Sequence, residues 1–441
     1  MISKETLKEI IVSNEGFILK EVKEILSREG ILLPESLDKV VVFYGVRRSG
    51  KTFILFDLMR KHKENSLYID FEDERLMGFQ LKDFEVLREA FFELKPHVAG
   101  KTQLFLLDEV HNIKGWERFC RRAVERERIR IYISGSSSKV MPAEIHTELR
   151  GRSWSIEVLP FSFREYLRSK GVDVSDKGAP YGQTKSRIKQ YFSEFMRWGG
   201  FPEVSLVSTE LEKTKLLKEY FGAMFFRDLV ERYRITNIPL LESLTDKLFS
   251  SFSTRFSLTS FYKQYKDKFP FSKDLLFRYY KYFPQSMLVF EVRMFAESTY
   301  KRMRNPPKNY LVDTGLCRRV TSADSGRLLE NIVYLELRRR GYEIYYFAEN
   351  GECDFVARNG NNSFQSVQVC FEITEENLDR EVGGLVEACK RLGSKEGILL
   401  VYDEERETSR DGVKISIVPV WKWAGFPAAQ AKREVRSRRA G

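Results

Sequence analysis

The sequence is poor in cysteine and has no long apolar run. Its five cysteines are odd in number and have no CxxC spacing, so a disulfide framework is not expected and reduced structural thiols are predicted. No apolar stretch approaches the ~18 residues of a membrane-spanning helix, and the charged start of the chain lacks the apolar core of a signal peptide. These absences predict a cytoplasmic protein without a membrane contact.

Acidic residues are outnumbered by basic ones. Lys and Arg total 74 and Asp and Glu 63, which gives a net charge of +11. A basic surplus favours a phosphate-rich partner such as nucleic acid, because lysine and arginine displace the counterions of a phosphate backbone. A solvated basic surface, or adaptation to high temperature, explains the same numbers.

The remaining composition is typical of a folded protein with several domains. The chain has 441 residues, of which 42% are hydrophobic, and it contains 34 Phe and 20 Tyr. At roughly 150 residues per domain, this length predicts about three domains. The apolar share is sufficient for several cores and argues against disorder.

Strands and helices alternate over residues 1–160. Apolar, β-branched runs predict strands at 40–44, 66–71, 103–108 and 129–134. Alternation with helical patterns is typical of a doubly wound parallel α/β domain. Ahead of the first strand, apolar residues at helical spacing predict a helix over 1–37, with a break at 33–36.

The pattern changes in the rest of the chain. Residues 161–236 have helical spacing throughout and predict a helical lid. Residues 237–325 predict short helices and then a strand pair with a basic connection, which together indicate a winged helix. A second, smaller α/β unit is predicted over 326–425, followed by a basic tail over 426–441.

Residues 45–52 match the phosphate-binding pattern GxxxxGK[ST] at every fixed position. Backbone N–H groups of such a P-loop surround the β-phosphate of ATP, and its glycines leave out the Cβ atoms that would block this approach. Lys51 is expected to reach the β- and γ-phosphates, and the Thr52 hydroxyl to bind Mg²⁺. The predicted ATP-binding residues are Gly45, Val46, Arg47, Arg48, Ser49, Gly50, Lys51 and Thr52.

Two carboxylates end the predicted strand at 103–108. Asp108 is expected to hold Mg²⁺ through water, and Glu109 to orient or deprotonate the attacking water. Taken alone, two carboxylates after a strand are equally typical of a solvated turn. The P-loop earlier in the chain favours the catalytic interpretation.

Two further polar stretches are candidates for the same site. Ser136 or Ser137, after the strand at 129–134, is predicted to contact the γ-phosphate or the water, with a serine-rich turn as the competing interpretation. Arg150 or Arg152 is predicted to act as an arginine finger on the neighbouring subunit of a homo-oligomer, a role worth ~10³-fold or more in rate. A surface turn explains the same two arginines.

Several longer stretches resemble one protein family. They are GVRRSGKT, YIDFEDERL, LFLLDEVHNIKGWERF, SGSSSKV, ELRGRSWSIEVLPFSFREY, WGGFPE, FRDL, YLVDTGL and ECDFV. Together they resemble the archaeal and bacterial AAA+-like ATPases of the DEXX-box type over nearly the whole chain. The resemblance implies an AAA+ core related to origin-recognition ATPases, a winged helix and a restriction-endonuclease-like terminal domain.

A restriction-endonuclease-like domain raises the question of nuclease activity. Such enzymes use a helix glutamate, a strand-end aspartate and a Glu-x-Lys on the next strand to bind Mg²⁺ and activate water. Glu330 and Asp354 match the first two positions, but Gln368 and Cys370 replace the glutamate and the lysine. Glu372, expected on the same strand face, could partly replace the lost carboxylate. These residues predict a degenerate site in which binding is favoured over cleavage.

Basic residues cluster at two places in the predicted winged helix, on a helix over 273–283 and between the paired strands. The predicted DNA-binding residues are Arg278, Lys281, Lys301, Arg302 and Arg304. A recognition helix and a basic wing contact the phosphates and grooves of DNA. For the aromatic residues around Arg278 a hydrophobic core is the favoured interpretation, and for the wing the two interpretations are even.

Three functions are compatible with these patterns. The first is an ATP-hydrolysing AAA+ ATPase with Mg²⁺ as cofactor, which couples its nucleotide state to DNA binding or remodelling. The second is a signal-transduction-type switch that binds a protein partner. The third is an ATP-dependent nuclease, against which Gln368 and Cys370 argue.

Overall fold

The chain forms two compact units, Met1–Leu159 and Pro160–Gly441. The computed structural model describes residues 2–34, 36–98, 100–136, 142–176, 178–268, 270–319 and 324–426. The finer division of the second unit at residues 236 and 325 stays a prediction.

The first unit alternates helices and strands. Its helices are α1 (Lys4–Gly16), α2 (Lys51–Lys61), α3 (Asp83–Leu94), α4 (Trp116–Arg126) and α5 (Pro142–Glu148). Its strands are β1 (Val40–Gly45), β2 (Ser66–Asp70), β3 (Gln103–Asp108), β4 (Ile129–Ser136) and β5 (Ser153–Glu157). β1 to β4 confirm the four predicted strands. β5 was not predicted, because its half-exposed edge position needs no apolar run.

The five strands form one parallel sheet in the order β2-β3-β4-β1-β5. Apolar residues cover both faces of the sheet, one packing with α1, α3 and α4 and the other with α2. This burial on both faces explains the nearly continuous apolar runs of the central strands. The predicted doubly wound parallel core is confirmed, and its parallel strands bring their carboxyl ends to one edge.

The predicted N-terminal helix is too long. α1 is followed by one π-helical turn, Phe17–Glu21, and the described residues of 22–39 contain no helix. Arg60 on α2 donates hydrogen bonds to the carbonyl oxygens of Ile18 and Val22. These carbonyl oxygens are thereby held by a neighbouring helix, and tertiary packing overrides the local helical pattern.

The second unit has a helical first part and a mixed sheet. Its helices are α6 (Phe163–Ser169), α7 (Thr184–Trp198), α8 (Pro202–Leu206), α9 (Glu210–Ala223), α10 (Ile238–Ser250), α11 (Leu258–Tyr265), α12 (Lys273–Gln285), α13 (Thr299–Arg304), α14 (Ser325–Arg339), α15 (Glu375–Arg391) and α16 (Val420–Gly425). Its strands are β6 (Val289–Met294), β7 (Lys308–Leu311), β8 (Glu343–Ala348), β9 (Glu352–Arg358), β10 (Phe364–Val369), β11 (Glu396–Val401), β12 (Arg406–Arg410) and β13 (Val413–Pro419).

Helices α10 to α12 precede the antiparallel pair β6 and β7. Arg255, between α10 and α11, forms a β-bridge with Lys308 of β7, and the N–H group of Ser253 donates to the carbonyl oxygen of Asn309 at 2.7 Å. Three helices therefore adjoin three short antiparallel segments, with α13 in the connection between β6 and β7. This order is compatible with the predicted winged helix, which stays a prediction.

The strands of the second unit follow the order β12-β13-β11-β10-β9-β8-β6-β7. α14 leads into the antiparallel strands β8, β9 and β10, and α15 connects β10 to its parallel neighbour β11. Apolar residues of α15 pack on β9, β11 and β13 to form a core. The mixed sheet is part of the described structure, whereas its assignment as restriction-endonuclease-like stays a prediction.

Two glycine-containing motifs of the second unit meet at the buried carboxylate of Asp313. Its oxygens accept hydrogen bonds from the backbone N–H groups of Gly200 and Gly315, at 2.7 Å and 2.8 Å. A Cβ at Gly199 would collide with this carboxylate, and Gly199 has a φ of 76°, which favours glycine. The motifs WGGFPE and YLVDTGL therefore fasten the end of α7 to the loop after β7.

Asp313→Asn is expected to change how stability depends on pH. Burial raises the pKa of Asp313 from 3.8 to about 7, against the opposing effect of its two backbone hydrogen bonds. Because the folded protein holds this proton more tightly than the unfolded chain, the contribution of Asp313 to stability is complete below about pH 4 and is lost as the pH rises to about 7. Over that range, the free energy of unfolding should fall by roughly 1–3 kcal/mol more in the wild type than in the variant. Melting temperatures of the wild type and of Asp313→Asn, measured over this pH range, test the prediction. A difference between the two melting temperatures that does not change with pH would contradict it.

No helix among the described residues is long and apolar enough to cross a membrane. All five cysteines lie in the described part of the chain, where none forms a disulfide.

Candidate functional site

The P-loop connects β1 to the first turn of α2, which is the context that the sequence pattern requires. Gly50 and Arg48 both have left-handed backbone, with φ of 93° and 64°. Glycine adopts this conformation freely, whereas for a residue such as arginine it costs about 1–3 kcal/mol and is typical of functional sites. A Cβ at Gly45 would collide with the carbonyl oxygen of Val158, so the loop requires its first glycine for close packing.

Lys51 lies inside the P-loop. Its side chain is buried, and the ammonium group donates hydrogen bonds to the carbonyl oxygens of Gly45 and Val46 at 3.0 Å and 2.9 Å. A phosphate oxygen carries negative charge and a backbone carbonyl oxygen does not, so Coulomb attraction to the ammonium adds to the hydrogen bond only for the phosphate. Phosphate oxygens can therefore replace these carbonyl oxygens as partners of Lys51.

Asp108 ends β3 and is only 3% exposed. Its carboxylate accepts hydrogen bonds from the hydroxyl of Tyr68 on β2, at 3.1 Å, and from the hydroxyl of Ser134 on β4. Both partners come from strands adjacent to β3 in the parallel register. Asp108 is thus held rigidly at the carboxyl edge of the sheet, where the P-loop begins.

Ser134 of β4 contacts Asp108, whereas the sequence pattern favours Ser136 or Ser137 as a contact of the γ-phosphate or the water. The backbone of Ser136 lies beside Gly45 of β1, and its side chain and the whole of Ser137 lie outside the described residues. The sequence pattern did not indicate Ser134, because Ser134 lies inside the predicted strand and the candidates were taken from the residues after it. Aligning β3 and β4 as parallel neighbours places Ser134 directly opposite Asp108.

Glu109 follows Asp108 in a left-handed conformation, with φ of 50° and ψ of 31°. Its backbone N–H group donates to the carbonyl oxygen of Ser134 at 3.0 Å. Its carboxylate oxygen Oε2 lies 3.3 Å from Nδ1 of His111, and the two side chains are 19% and 8% exposed. His111, which sequence reasoning did not single out, therefore lies against the Glu109 carboxylate.

Asp70 adds a third carboxylate to this edge. It ends β2 and lies beside Asp108 in the register. Burial, with a smaller effect from the charge of Asp108, raises the pKa of Asp70 to about 6, although a hydrogen bond from the N–H group of Glu72 opposes the shift. The concentrated negative charge of this edge complements a divalent cation.

Arg150 and Arg152 lie between α5 and β5. Arg150 is exposed and has a φ of 48°. Arg152 forms an ion pair with Glu125 of α4. Because Arg152 is engaged within its own chain, Arg150 is the better placed of the two to reach a neighbouring molecule.

In the second unit, three of the four predicted nuclease-site residues come together. Glu330 lies on α14, Asp354 on β9 and Gln368 on β10, and all three are buried. The backbone N–H group of Asp354 donates to Oε1 of Gln368 at 2.9 Å. Glu330, Asp354 and Gln368 are therefore neighbours in the structure, and the predicted degenerate site stays a prediction.

Cys370 and Glu372 were expected to lie beside these residues on the same strand, but they do not. β10 ends at Val369, so the alternation of strand faces ends there as well. The Cys370 thiol donates to the backbone carbonyl oxygen of Glu372 at 2.8 Å, and the Glu372 side chain is exposed. The expectation that Glu372 lies on the same strand face is therefore wrong.

Lys308 of β7 completes the group, 22 residues before Glu330 in the sequence. Its ammonium nitrogen lies 2.7 Å from Oδ1 of Asp354 and 3.2 Å from Oε1 of Glu330. Burial would lower the pKa of Lys308, but the charges of Asp354 and Glu330 raise it well above its ordinary value. Burial and the charge of Asp354 raise the pKa of Glu330 to about 8. No sequence motif connects Lys308 to these carboxylates.

The predicted DNA-binding residues lie on α12 and α13, and all are exposed except Arg302, which is half-buried. The aromatic residues Tyr279, Tyr280 and Phe283 of α12 are buried, which confirms the core interpretation for them. On α13, Tyr300 is 71% exposed. The connection between β6 and β7 therefore presents basic side chains together with an exposed ring.

Family models match three consecutive parts of the chain. A model for an AAA domain matches residues 37–167, which contain the P-loop, Asp108 and Glu109. Two models, Domain of unknown function (DUF8612) and Domain of unknown function (DUF4143), match residues 189–327 and 325–423.

Two curated proteins are similar to the chain over nearly its whole length. An uncharacterized protein of Methanocaldococcus jannaschii is 34% identical, with 96% of each chain covered. The chain belongs to this family of AAA-domain proteins. A protein of Haemophilus influenzae, also described as uncharacterized, is 27% identical over 90% of this chain and 99% of its own length.

Two solved AAA-type structures are distantly similar to this AAA-domain protein. Caenorhabditis elegans PCH-2 has a TM-score of 0.27 at 14% identity, covering 51% of this chain and 69% of that chain. The Thermotoga maritima RuvB Holliday junction branch migration motor has a TM-score of 0.26 at 14% identity, covering 69% and 95%. Scores this low support no conclusion about function.

The AAA domain has a further contact to its P-loop that no motif indicates. Arg28, in the non-helical segment before β1, donates a hydrogen bond to the carbonyl oxygen of Ser49 at 2.7 Å. Its second terminal nitrogen donates to the carbonyl oxygen of Leu159 at 2.6 Å. Arg28 thereby holds the backbone of the P-loop from outside the loop.

Arg28→Ala is expected to weaken ATP binding by the AAA domain about 10-fold, because the P-loop loses a charge-assisted hydrogen bond worth ~1.5–3 kcal/mol. Titration with a fluorescent ATP analogue measures the dissociation constant. Lys23→Ala removes an exposed cation from the same segment and should leave the affinity unchanged. Equal affinities of both variants would contradict a role for Arg28.

Proposed function

We propose that the chain is a Mg²⁺-dependent ATPase whose nucleotide state controls DNA binding by its second unit. The observation that carries the ATPase proposal is the common position of the P-loop, Asp108 and Glu109. All three follow parallel strands of one sheet at their carboxyl ends. Ligands of open parallel sheets bind at this edge.

The residues at this edge fit ATP together with Mg²⁺. Lys51 would contact the β- and γ-phosphates, and Thr52 and Asp108 would hold the ion. Among the described residues, no three His, Cys, Asp or Glu side chains form a metal site on their own. Mg²⁺ is commonly held by one or two carboxylates and the phosphates of a bound nucleotide. When bound, Mg²⁺ neutralises negative charge on the phosphates.

Hydrolysis additionally requires a positioned water molecule. Glu109 is the residue we assign to orient this water and to accept its proton. The contact with His111 at 3.3 Å limits the directions open to the Glu109 carboxylate, and Ser134 fixes Asp108 beside it. Such restraints lower the cost of organising the site during the reaction.

We propose that a second copy of the chain completes the site. The exposed Arg150 would approach the γ-phosphate of the neighbour as an arginine finger, which stabilises the charge of the transition state. Arg152, paired with Glu125, would instead support the turn on which Arg150 lies.

The proposal of DNA binding rests on the surface of α12 and α13. Arg278 and Lys281 are exposed on α12, where Tyr279, Tyr280 and Phe283 are buried and Phe277 is exposed. Lys301 and Arg304 are exposed on α13. Basic side chains of this kind neutralise backbone phosphates, and the exposed ring of Tyr300 offers a surface on which a base can stack.

The ATPase rate with single-stranded, duplex and branched DNA at low salt tests this proposal. We expect DNA to increase the rate and DNA affinity to fall with salt. In Arg278→Ala/Lys281→Ala, the slope of log affinity against log salt should fall by about 2 for duplex DNA, because two phosphate contacts are lost. Basal ATPase should be unchanged. Lys215→Ala/Lys218→Ala removes two exposed lysines of α9 and serves as the charge-matched control.

Absence of both DNA binding and DNA stimulation at low salt would overturn the DNA part of the proposal. In that case, a protein partner recovered after nuclease treatment would favour a nucleotide-dependent switch instead.

A further inference from the structure

The cluster of acidic side chains in the second unit contains its own cation, Lys308. The ammonium of Lys308 lies 2.7 Å from Asp354 Oδ1, 3.2 Å from Glu330 Oε1 and 3.0 Å from Glu352 Oε1. Lys308 is 3% exposed and Glu330 and Asp354 are less than one-tenth exposed. One buried ammonium therefore contacts three carboxyl groups, two of which are buried with it.

Further hydrogen bonds connect these residues to their buried neighbours. Tyr310 donates its hydroxyl proton to Oε1 of Glu330 at 2.6 Å. The backbone N–H group of Val369 donates to Oδ2 of Asp354 at 3.0 Å. Gln368 accepts from the N–H group of Asp354 and donates to Oε2 of Glu381, at 2.9 Å and 2.5 Å. Each of these hydrogen bonds joins two buried residues.

A divalent metal does not fit this arrangement. Mg²⁺ requires near-octahedral oxygen ligands at about 2.0–2.1 Å and usually keeps several waters. Oδ1 of Asp354 and Oε1 of Glu330 already accept hydrogen bonds from Lys308, and the third position carries the amide of Gln368. An ion at this position would have to displace a buried ammonium and leave it without a partner, which costs several kcal/mol.

We propose that Lys308 is a built-in counter-ion in the position that a metal would take, so that this centre neither binds a divalent cation nor cleaves phosphodiesters. Its role is to fasten β7 to α14 and β9. Lys308 also forms backbone pairs with Val292 of β6 and with Arg255. One residue thus connects the strand pair that follows α12 to the C-terminal sheet, within the second unit.

Stability with and without metal separates this centre from a metal site. We expect Mn²⁺ at millimolar concentration, without nucleotide, to shift the melting temperatures of the full-length wild type and of Asp354→Asn equally. Neither protein should nick supercoiled DNA with Mn²⁺ or Mg²⁺. Stabilisation by Mn²⁺, or nicking, that is present in the wild type and lost in Asp354→Asn would overturn the proposal.

A double-mutant cycle tests the ion pair directly. Lys308→Met should lower the melting temperature by roughly 5–10 °C, because it leaves Asp354 buried without its cation. Lys308→Met/Asp354→Asn should lose less than the sum of the two single variants. Additive losses would contradict the pairing. Lys414→Met removes an exposed lysine paired with Glu407 and should change the melting temperature little. If Lys308→Met does not fold, the Mn²⁺ comparison still decides the question.

Discussion

Glu109→Gln is expected to bind ATP as the wild type does and to hydrolyse it about 10²–10⁴-fold more slowly. The amide keeps the size and polarity of the side chain but cannot accept the proton of the attacking water. The P-loop and Asp108 are untouched, so phosphate contacts should persist. Nucleotide titration and steady-state ATPase assays on the same preparations measure the two properties separately.

A matched control is available in the same domain. Glu64→Gln makes the same chemical change at a position whose side chain is 72% exposed. This variant should hydrolyse ATP at the wild-type rate. If Glu109→Gln hydrolysed ATP at the wild-type rate, our assignment of the catalytic carboxylate would be wrong. Loss of ATP binding in the variant would show that Glu109 supports the loop and not the reaction.

Gly199→Ala is expected to destabilise the second unit by about 3–5 kcal/mol. The backbone of Gly199, with φ of 76°, is one that only glycine adopts without strain, and the added methyl group would collide with the Asp313 carboxylate. Either the Asp313 hydrogen bonds or the end of α7 must shift to accommodate it. Thermal unfolding of the full-length protein should show a decrease of roughly 6–20 °C in the transition of this unit.

Gly222→Ala is the appropriate control for this glycine. Gly222 lies within α9, and a Cβ there would meet nothing within 4 Å. Alanine should leave stability unchanged or raise it by up to ~1 kcal/mol, because glycine is the poorer helix former. Similar melting temperatures for the two variants would contradict the structural role of the Asp313 contact.

The nucleotide site was predictable because its signals are local. The P-loop needs an apolar strand, a glycine-containing turn and a helix in immediate succession, and β1 and α2 provide them. Asp108 and Glu109 follow a fully buried strand, which the apolar run before them indicates. Such patterns depend on neighbours in the sequence and not on distant packing.

The residues that were missed depend on packing between distant segments. Ser134 is identified by the register of β4 against β3. Arg28 is identified by its hydrogen bond to the carbonyl oxygen of Ser49 in the P-loop, which lies later in the sequence. Lys308 belongs to none of the sequence motifs. It contacts Asp354, 46 residues away, because both residues lie on strands of the same sheet. The end of the N-terminal helical region is held by hydrogen bonds from Arg60 to the carbonyl oxygens of Ile18 and Val22. None of these contacts leaves a periodic or spaced signal in the sequence.

ATP hydrolysis by the full-length wild type and by Lys51→Ala tests the central claim most directly. Lys51 is buried within the P-loop, and alanine removes the ammonium that we assign to the β- and γ-phosphates. We predict Mg²⁺-dependent hydrolysis by the wild type, and neither binding nor hydrolysis of ATP by the variant at the same concentrations. A wild type that binds no ATP, or a variant that hydrolyses ATP at the wild-type rate, would contradict the claim that this P-loop is the site of an ATPase.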